Sequence, residues 1–190
     1  MKSATWGYVL RLSLTLLVIT ALVAGALAGV NAITAGPIAE TKAEKTRQAV
    51  AQVLPGAAEV AELSVDPEDS VAAVYTAQVP DKGLCYAVEI RTAGFGGTID
   101  MMVGADPEGK VLGIAIISHS ETPGLGAVAA AGNAAGQQFR QQFIGLSGVL
   151  HVTKDGGSVD AITGATVTSR AVTQGVNLAL EWIARNGQGG

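Results

Sequence analysis

The sequence predicts an α+β protein: an N-terminal membrane-crossing helix followed by a compact domain in which helices pack on a mainly antiparallel sheet. Three observations predict it. Residues 12–30 carry no charge, residues 71–117 fall into short β-branched segments divided by turn signals, and residues from 166 onward place apolar side chains at helical spacing. With 190 residues, 48% of them hydrophobic and 15% charged, the chain has room for one domain plus an appendage, and its apolar excess is local.

The first element is the uncharged run from Leu12 to Val30, where Ser13, Thr15 and Thr20 are the only hydroxyls. As a helix these 19 residues reach about 28 Å, close to the thickness of a bilayer core. A cleaved signal peptide is the competing reading, supported by Lys2 and Arg11 ahead of the run and by the cleavage-like Ala26-Leu27-Ala28. The run exceeds the roughly 7–15 residues of a signal core, which favours a retained single-pass anchor. Gly25 and Gly29 give it a small-xxx-small spacing that suits a neighbouring helix. Orientation is nearly balanced: Lys2, Arg11 and the N-terminal amine precede the run, and Lys42, Lys45 and Arg47 follow it.

Asn31 to Gly36 reads as a short exit, and Pro37 as the start of a second helix that ends at Pro55-Gly56. The expected division is therefore a tip and membrane helix over 1–33, a connecting helix over 34–62, and a folded domain over 63–190. The charged face of the connecting helix reads as solvated surface. Four strands follow, Val71–Ala77, Leu84–Thr92, Thr98–Val103 and Val111–Ile117, with Asp106-Pro107-Glu108-Gly109-Lys110 as a hairpin connection. Ile99, Met101 and Val103 alternate with Asp100 and Met102, as on a half-buried sheet. An antiparallel meander is the expected topology.

All 16 acidic residues follow the anchor, against 10 of the 12 basic ones, so this part is acidic and lacks a basic stripe for nucleic acid. Cys85 is the single cysteine, which excludes an intrachain disulfide, a Cys-rich zinc site and an iron–sulfur cluster held by this chain alone. Its apolar neighbours Leu84, Tyr86 and Val88 mark it as a small buried residue. Gly94-Phe95-Gly96-Gly97 has no Lys-Ser/Thr partner for a phosphate loop and reads as a turn with one buried aromatic.

The last strand leads into Ser118-His119-Ser120-Glu121-Thr122-Pro123-Gly124-Leu125-Gly126, a loop that turns at Pro123-Gly124 and presents polar groups. An Ala/Gly segment follows over 127–135, then a short helix with Phe139 and Phe143 on one face, then a brief strand at His151–Lys154 and a turn at Asp155-Gly156-Gly157. Near the C-terminus, Asp160-Ala161-Ile162-Thr163-Gly164-Ala165-Thr166-Val167-Thr168-Ser169 reads as a tight turn opening into a helix that runs to about Arg185, with Asn186-Gly187 as its stop. The first N–H groups of a helix favour an anion. Taken alone, Thr166 or Thr168 also suits a plain N-cap.

This last stretch resembles the flavinylation motif of the membrane-bound FMN-carrying subunits of the Rnf and Na+-translocating NADH:quinone reductase complexes. The Glu121-Thr122-Pro123-Gly124-Leu125-Gly126 string and the Gly-aromatic-Gly-Gly feature are similar to further signatures of that family, and the resemblance covers nearly the whole chain. It implies FMN bound covalently through a phosphodiester to Thr166, with Asp160, Thr163, Gly164 and Ala165 completing the attachment motif. Glu121, Thr122, Leu125 and Gly126 would line the flavin, and Lys154 is a candidate to neutralise its phosphate. His119 is expected to be structural, since electron relay needs no positioned general base. No metal site and no catalytic residue is expected, and the resemblance implies an electron carrier in the cell membrane with its FMN domain on the outer, periplasmic side. Its partners would be lipid, the other membrane components of an Rnf complex that couples ferredoxin oxidation and NAD+ reduction to ion movement, and a flavin transferase for maturation. The alternatives are the C subunit of the Na+-translocating NADH:quinone reductase, which tends to be longer, and a non-covalent flavin-binding or sensor domain without electron transfer.

Overall fold

A computed structural model describes residues 2–65 and 70–187. Met1, whose amine entered the orientation argument, and residues 188–190 of the expected last domain lie outside the described residues, as does the Lys2 side chain. The chain divides into two units, residues 1–44 and residues 45–190.

The first unit is helical. Helix α1, Lys2–Val53, begins there and is continuous, with Pro37 inside it. The expected exit at Asn31–Gly36 and restart at Pro37 are therefore corrected. A proline inside a helix costs about 3 kcal/mol through one lost hydrogen bond and a clash, but helix propagation on both sides carries the backbone through. The Thr34 hydroxyl donates to the Val30 carbonyl at 2.8 Å and the Thr41 hydroxyl to the Pro37 carbonyl at 2.7 Å, so both polar side chains are satisfied within the helix. Among the described residues this is the one helix long and apolar enough to cross a membrane, and none of its apolar window is buried by protein.

The second unit is a five-stranded antiparallel meander in the order β1-β2-β3-β4-β5: Ala58–Leu63, Val71–Val79, Gly83–Ala93, Thr98–Ala105 and Val111–His119. Four of these match the expected strands and extend them by a residue or two at their ends. Strand β1 was not expected. Every one of its side chains is exposed, its register shifts between Ala58 and Ala61, and its Ala/Glu/Leu composition favours helix.

Both faces of the sheet are covered. On one, Val88, Ile90, Ile99, Met101 and Val103 pack with Val172, Val176, Ala179 and Ile183 of helix α3, Thr166–Asn186, and with Phe139 and Phe143. Helix α2, Ala134–Gln141, supplies Phe139, whose ring meets Phe143 edge-on at 5.5 Å. On the other face Met102, Ala115, Ala87 and Cys85 pack with Ala49, Val50, Val53 and Leu54. This corrects the half-buried sheet: Met102 is as buried as Met101 because the last turns of α1 lie over it. Gly104 and Gly113 sit opposite each other in the β4–β5 register, and a Cβ on either would come within about 3 Å of Val53 backbone atoms. That pair of glycines is the notch into which α1 ends.

Candidate functional site

The site lies where two segments that leave the sheet meet the turn that opens α3. The β3–β4 loop brings Gly94–Gly97, the segment after β5 brings residues 120–126, and the turn before α3 brings Ile162–Ala165. They enclose a cleft of about 320 Å³, at the lower end of small-ligand pockets. Its lining is Phe95, Glu121, Thr122, Leu125, Gly126 and the run Gly164 to Thr168.

The turn is built residue by residue. The Ala165 N–H donates to the Ile162 carbonyl at 2.9 Å, closing a four-residue turn whose third residue, Gly164, has a φ of 76°. A left-handed third residue is what a type II turn requires, and glycine takes it without strain. Ser169, fully buried, locks the turn to the helix: its hydroxyl accepts from the Ile162 N–H at 3.0 Å and donates to the Ala165 carbonyl at 2.9 Å. The N-cap of α3 is Ala165, which has no side chain to cap with. Neither Thr166 nor Thr168 is the cap. The N–H groups of the first turn consequently have no intrahelical acceptor and no capping oxygen, and they stand beside the cleft with the positive end of the helix dipole.

Thr166 is the first helical residue and is half-buried, its Oγ1 accepting a hydrogen bond from the Lys154 ammonium at 2.9 Å. Thr168, two residues further on, is only 1% exposed, and its hydroxyl donates to Glu121 Oε2 at 2.5 Å. The other oxygen of Glu121 accepts the Gly96 N–H at 2.9 Å. Glu121 is 6% exposed and thus clamps three segments together from inside the cleft wall. Gly126 makes this possible, because a Cβ there would run into both Glu121 Oε2 and Thr168 Oγ1. His119 is structural in these contacts, its Nδ1 accepting the Glu121 N–H at 3.2 Å.

Of the residues singled out from sequence, the cleft gathers Thr166, Gly164, Ala165, Glu121, Thr122, Leu125 and Gly126. Lys154 reaches Thr166 from outside the lining, on a 3-10 turn over Thr153–Asp155. The expected strand at His151–Lys154 is thereby corrected: a single parallel bridge, Val152 with Val159, is all the pairing it makes. Thr163 is exposed on the turn, and Asp160 is exposed with its backbone held by the Gln142 side chain. Phe95, Val167 and Thr168 were missed. Phe95 is 73% exposed, so the buried aromatic expected for that turn is corrected. The signal for it was present: an aromatic bracketed by glycines has no neighbouring side chains to bury it. Leu125 and Val167 are also exposed, giving the cleft an apolar rim.

These groups fit a flavin nucleotide on their own chemistry. Exposed Phe95, Leu125 and Val167 offer apolar contact for a ring system, while an ammonium meets the Thr166 hydroxyl at an uncapped helix start, a setting that suits a phosphate. No group of three or more His, Cys, Asp or Glu residues placed to hold a metal occurs among the described residues.

Comparison with known proteins agrees with this chemistry. The family described as FMN-binding domain matches residues 94–181. The G subunit of the Na(+)-translocating ferredoxin:NAD(+) oxidoreductase complex of Acetobacterium woodii is 34% identical, covering 93% of this chain and 92% of that protein. The G subunit of the ion-translocating oxidoreductase complex of Methanosarcina acetivorans is 32% identical over 92% of this chain and 94% of its own. Among solved structures, the C subunit of the Na(+)-translocating NADH-quinone reductase from Parabacteroides distasonis superposes with a TM-score of 0.57 at 19% identity, over 76% of this chain and 92% of that one. At that identity the likeness speaks for the fold.

Proposed function

This chain belongs to the family of the G subunits of ion-translocating Rnf oxidoreductase complexes, and from that premise we propose that it is the complex's membrane-anchored electron carrier, with FMN bound covalently to Thr166. The observation that carries the covalent reading is the Thr166 hydroxyl itself. It is the first residue of an uncapped helix, half-buried at the cleft wall, and it accepts a hydrogen bond from Lys154 at 2.9 Å. A phosphodiester formed there would meet the first-turn N–H groups and one ammonium, which together offset its charge.

FMN supplies one-electron and two-electron redox chemistry, and the protein's part is to hold and orient it. Gly164, Ala165 and Gly126 let the backbone approach the cofactor closely, and Phe95, Leu125 and Val167 flank it with apolar surface. Glu121 and Thr122 line the same wall, Glu121 holding the segments in place. Covalent attachment keeps a repeatedly reduced and reoxidised cofactor from dissociating outside the cell. The turn at Thr163 and the exposed Asp160 face solvent, where a separate flavin transferase would read them. A threonine hydroxyl is a weak nucleophile without an activating base, so the transferase supplies that base.

In this reading residues 1–33 hold the single-pass anchor, and the FMN domain, whose sheet begins with β1 and is packed by the last turns of α1, lies on the outer face of the membrane. The complex passes electrons from ferredoxin to NAD+ and couples them to Na+ or H+ movement. The test is a membrane preparation in which this chain, or its Thr166→Ala variant, completes the Rnf complex. Ferredoxin-driven NAD+ reduction should be lost in the variant while the complex still assembles and the membrane still retains the chain after carbonate washing. Full activity with Thr166→Ala would overturn the covalent-carrier reading and leave a non-covalent flavin domain.

A further inference from the structure

Lys154 meets Thr166 through a segment that is tied to α3 along one face. Leu150, at its start, exchanges two hydrogen bonds with the Asn177 side chain, both 2.8 Å. Asp155 receives the Arg170 guanidinium in a bidentate pair, Nε to Oδ2 at 2.7 Å and Nη2 to Oδ1 at 2.6 Å. Thr166, Arg170 and Asn177 lie within about 40° of one another around the helix. The segment therefore runs along the helix, and Lys154 is the residue it delivers to the first turn. Within the segment, the Val152–Val159 bridge and the left-handed Gly156 close the turn on itself, but they do not fix it to α3. Near the N-terminus of the helix, Asp155–Arg170 does that.

Most surface ion pairs contribute little, because two flexible side chains are ordered for a screened attraction. A bidentate fork with both bonds short is the geometry in which such a pair imposes orientation. The Arg170 hydrogen bonds hold the Asp155 carboxyl below the usual carboxylate range, so the pair persists throughout neutral pH.

We propose that the Asp155–Arg170 pair is a positioning device for flavin attachment: it holds the Thr153–Asp155 turn on α3 so that the Lys154 ammonium meets the Thr166 hydroxyl, and so sets the rate at which that hydroxyl takes up a flavin phosphate. This rests on the functional reading above. In the step concerned, the bond from Thr166 Oγ1 to phosphorus forms while the phosphoanhydride bond of a flavin dinucleotide breaks. The nucleoside monophosphate leaves with the anhydride oxygen, and the hydroxyl proton passes to the transferase's base. No group is oxidised or reduced. An ammonium can only donate, and it donates to Oγ1, so the hydroxyl hydrogen is directed away from it, free for that base. Lys154 stays protonated and offsets charge on the arriving phosphoryl group.

The test uses the full chain in detergent, with purified flavin transferase, Mg2+ and FAD, and follows flavin gained per chain with time by intact mass. Lys154→Gln should slow attachment about tenfold, the rate equivalent of about 1.4 kcal/mol, and Lys154→Arg should restore most of the rate. Asp155→Asn and Arg170→Gln should each slow it several-fold, and the exchange of charges in Asp155→Arg/Arg170→Asp should bring the rate back to within about twofold of the parent. Parental rates in Asp155→Asn and Arg170→Gln, or an exchanged pair as slow as the single variants, would overturn the positioning role. If the parent takes up no flavin, or Thr166→Ala takes up as much, the functional reading fails instead. If the parent loads on Thr166 and only the pair variants are indifferent, the positioning inference fails alone.

Discussion

Gly126→Ala should damage the fold through one identifiable contact. Gly126 is buried, and its φ is not in the left-handed region, so the backbone tolerates alanine and the penalty is steric. The added Cβ would enter the space of Glu121 Oε2 and Thr168 Oγ1, which share a 2.5 Å hydrogen bond, and would stand 3.0 Å from the Glu121 Cβ. Forcing that bond apart costs about 1.5–3 kcal/mol, as for hydrogen bonds to charged groups. Overpacking adds about 1–3 kcal/mol, and the restricted unfolded chain returns up to about 1 kcal/mol. The net expectation is a loss of about 1.5–6 kcal/mol. The clash with the carboxylate is removed in a Glu121→Ala background, where the Thr168 hydroxyl is free to turn away and only the 3.0 Å approach to the Cβ of residue 121 remains. A double-mutant cycle should therefore show a coupling of about 2 kcal/mol between positions 121 and 126. The assay is urea unfolding in mild detergent followed by tryptophan fluorescence, with exposed Trp6 replaced by Phe so that buried Trp182 alone reports. Additivity within about 0.5 kcal/mol would refute the clamp.

Other outcomes follow from the same contacts. Gly164→Ala puts a side chain at a φ of 76° with its Cβ 3.0 Å from Leu125 Cδ2, so unfolding should become easier by about 1–2 kcal/mol and flavin attachment slower; an unchanged midpoint and rate would remove the special status of this turn. The Asp155 carboxyl, drawn below its ordinary value by the Arg170 hydrogen bonds, stabilises the folded state above the ordinary carboxylate pKa of about 3.9, and that contribution is lost as pH falls through the lower folded-state value. Carboxyl NMR should place its titration below the ordinary range and return it there in Arg170→Gln; the same titration in both proteins would contradict the pair. The Cys85 thiol is fully buried and its pKa is raised by that burial, with Asp106 adding to it, so alkylating reagents at pH 8 should leave it unmodified until the protein unfolds. Rapid labelling of the native chain would place Cys85 outside the core.

Much of this fold was legible because local signals agreed with the tertiary outcome. The uncharged Leu12–Val30 run, the β-branched segments between turn residues and the Val172, Val176, Leu180 and Ile183 spacing of α3 each name their element without reference to a partner. What stayed hidden depends on context. Strand β1 has no buried face to imprint a period on its sequence, and Pro37 reads locally as a start although helix on both sides carries the chain through it. The paired Gly104 and Gly113 look like interruptions until Val53 is seen lying over them. At the site, the Thr-Gly-Ala-Thr turn and the Glu-Thr-Pro-Gly-Leu-Gly loop stood out as motifs, but nothing in either showed that Glu121 would be tied to Thr168 and Gly96. Arg170 and Asp155 carry no local pattern either, because fifteen residues and a turn separate them in the chain.

The most direct test of the central claim is the intact mass, with peptide mapping, of this chain purified from cells that contain the flavin transferase, beside its Thr166→Ala variant. The account predicts a gain equal to FMN less one water, located on Thr166 and absent from the variant. An unmodified mass in the presence of an active transferase, or the same gain located on another residue, would contradict it.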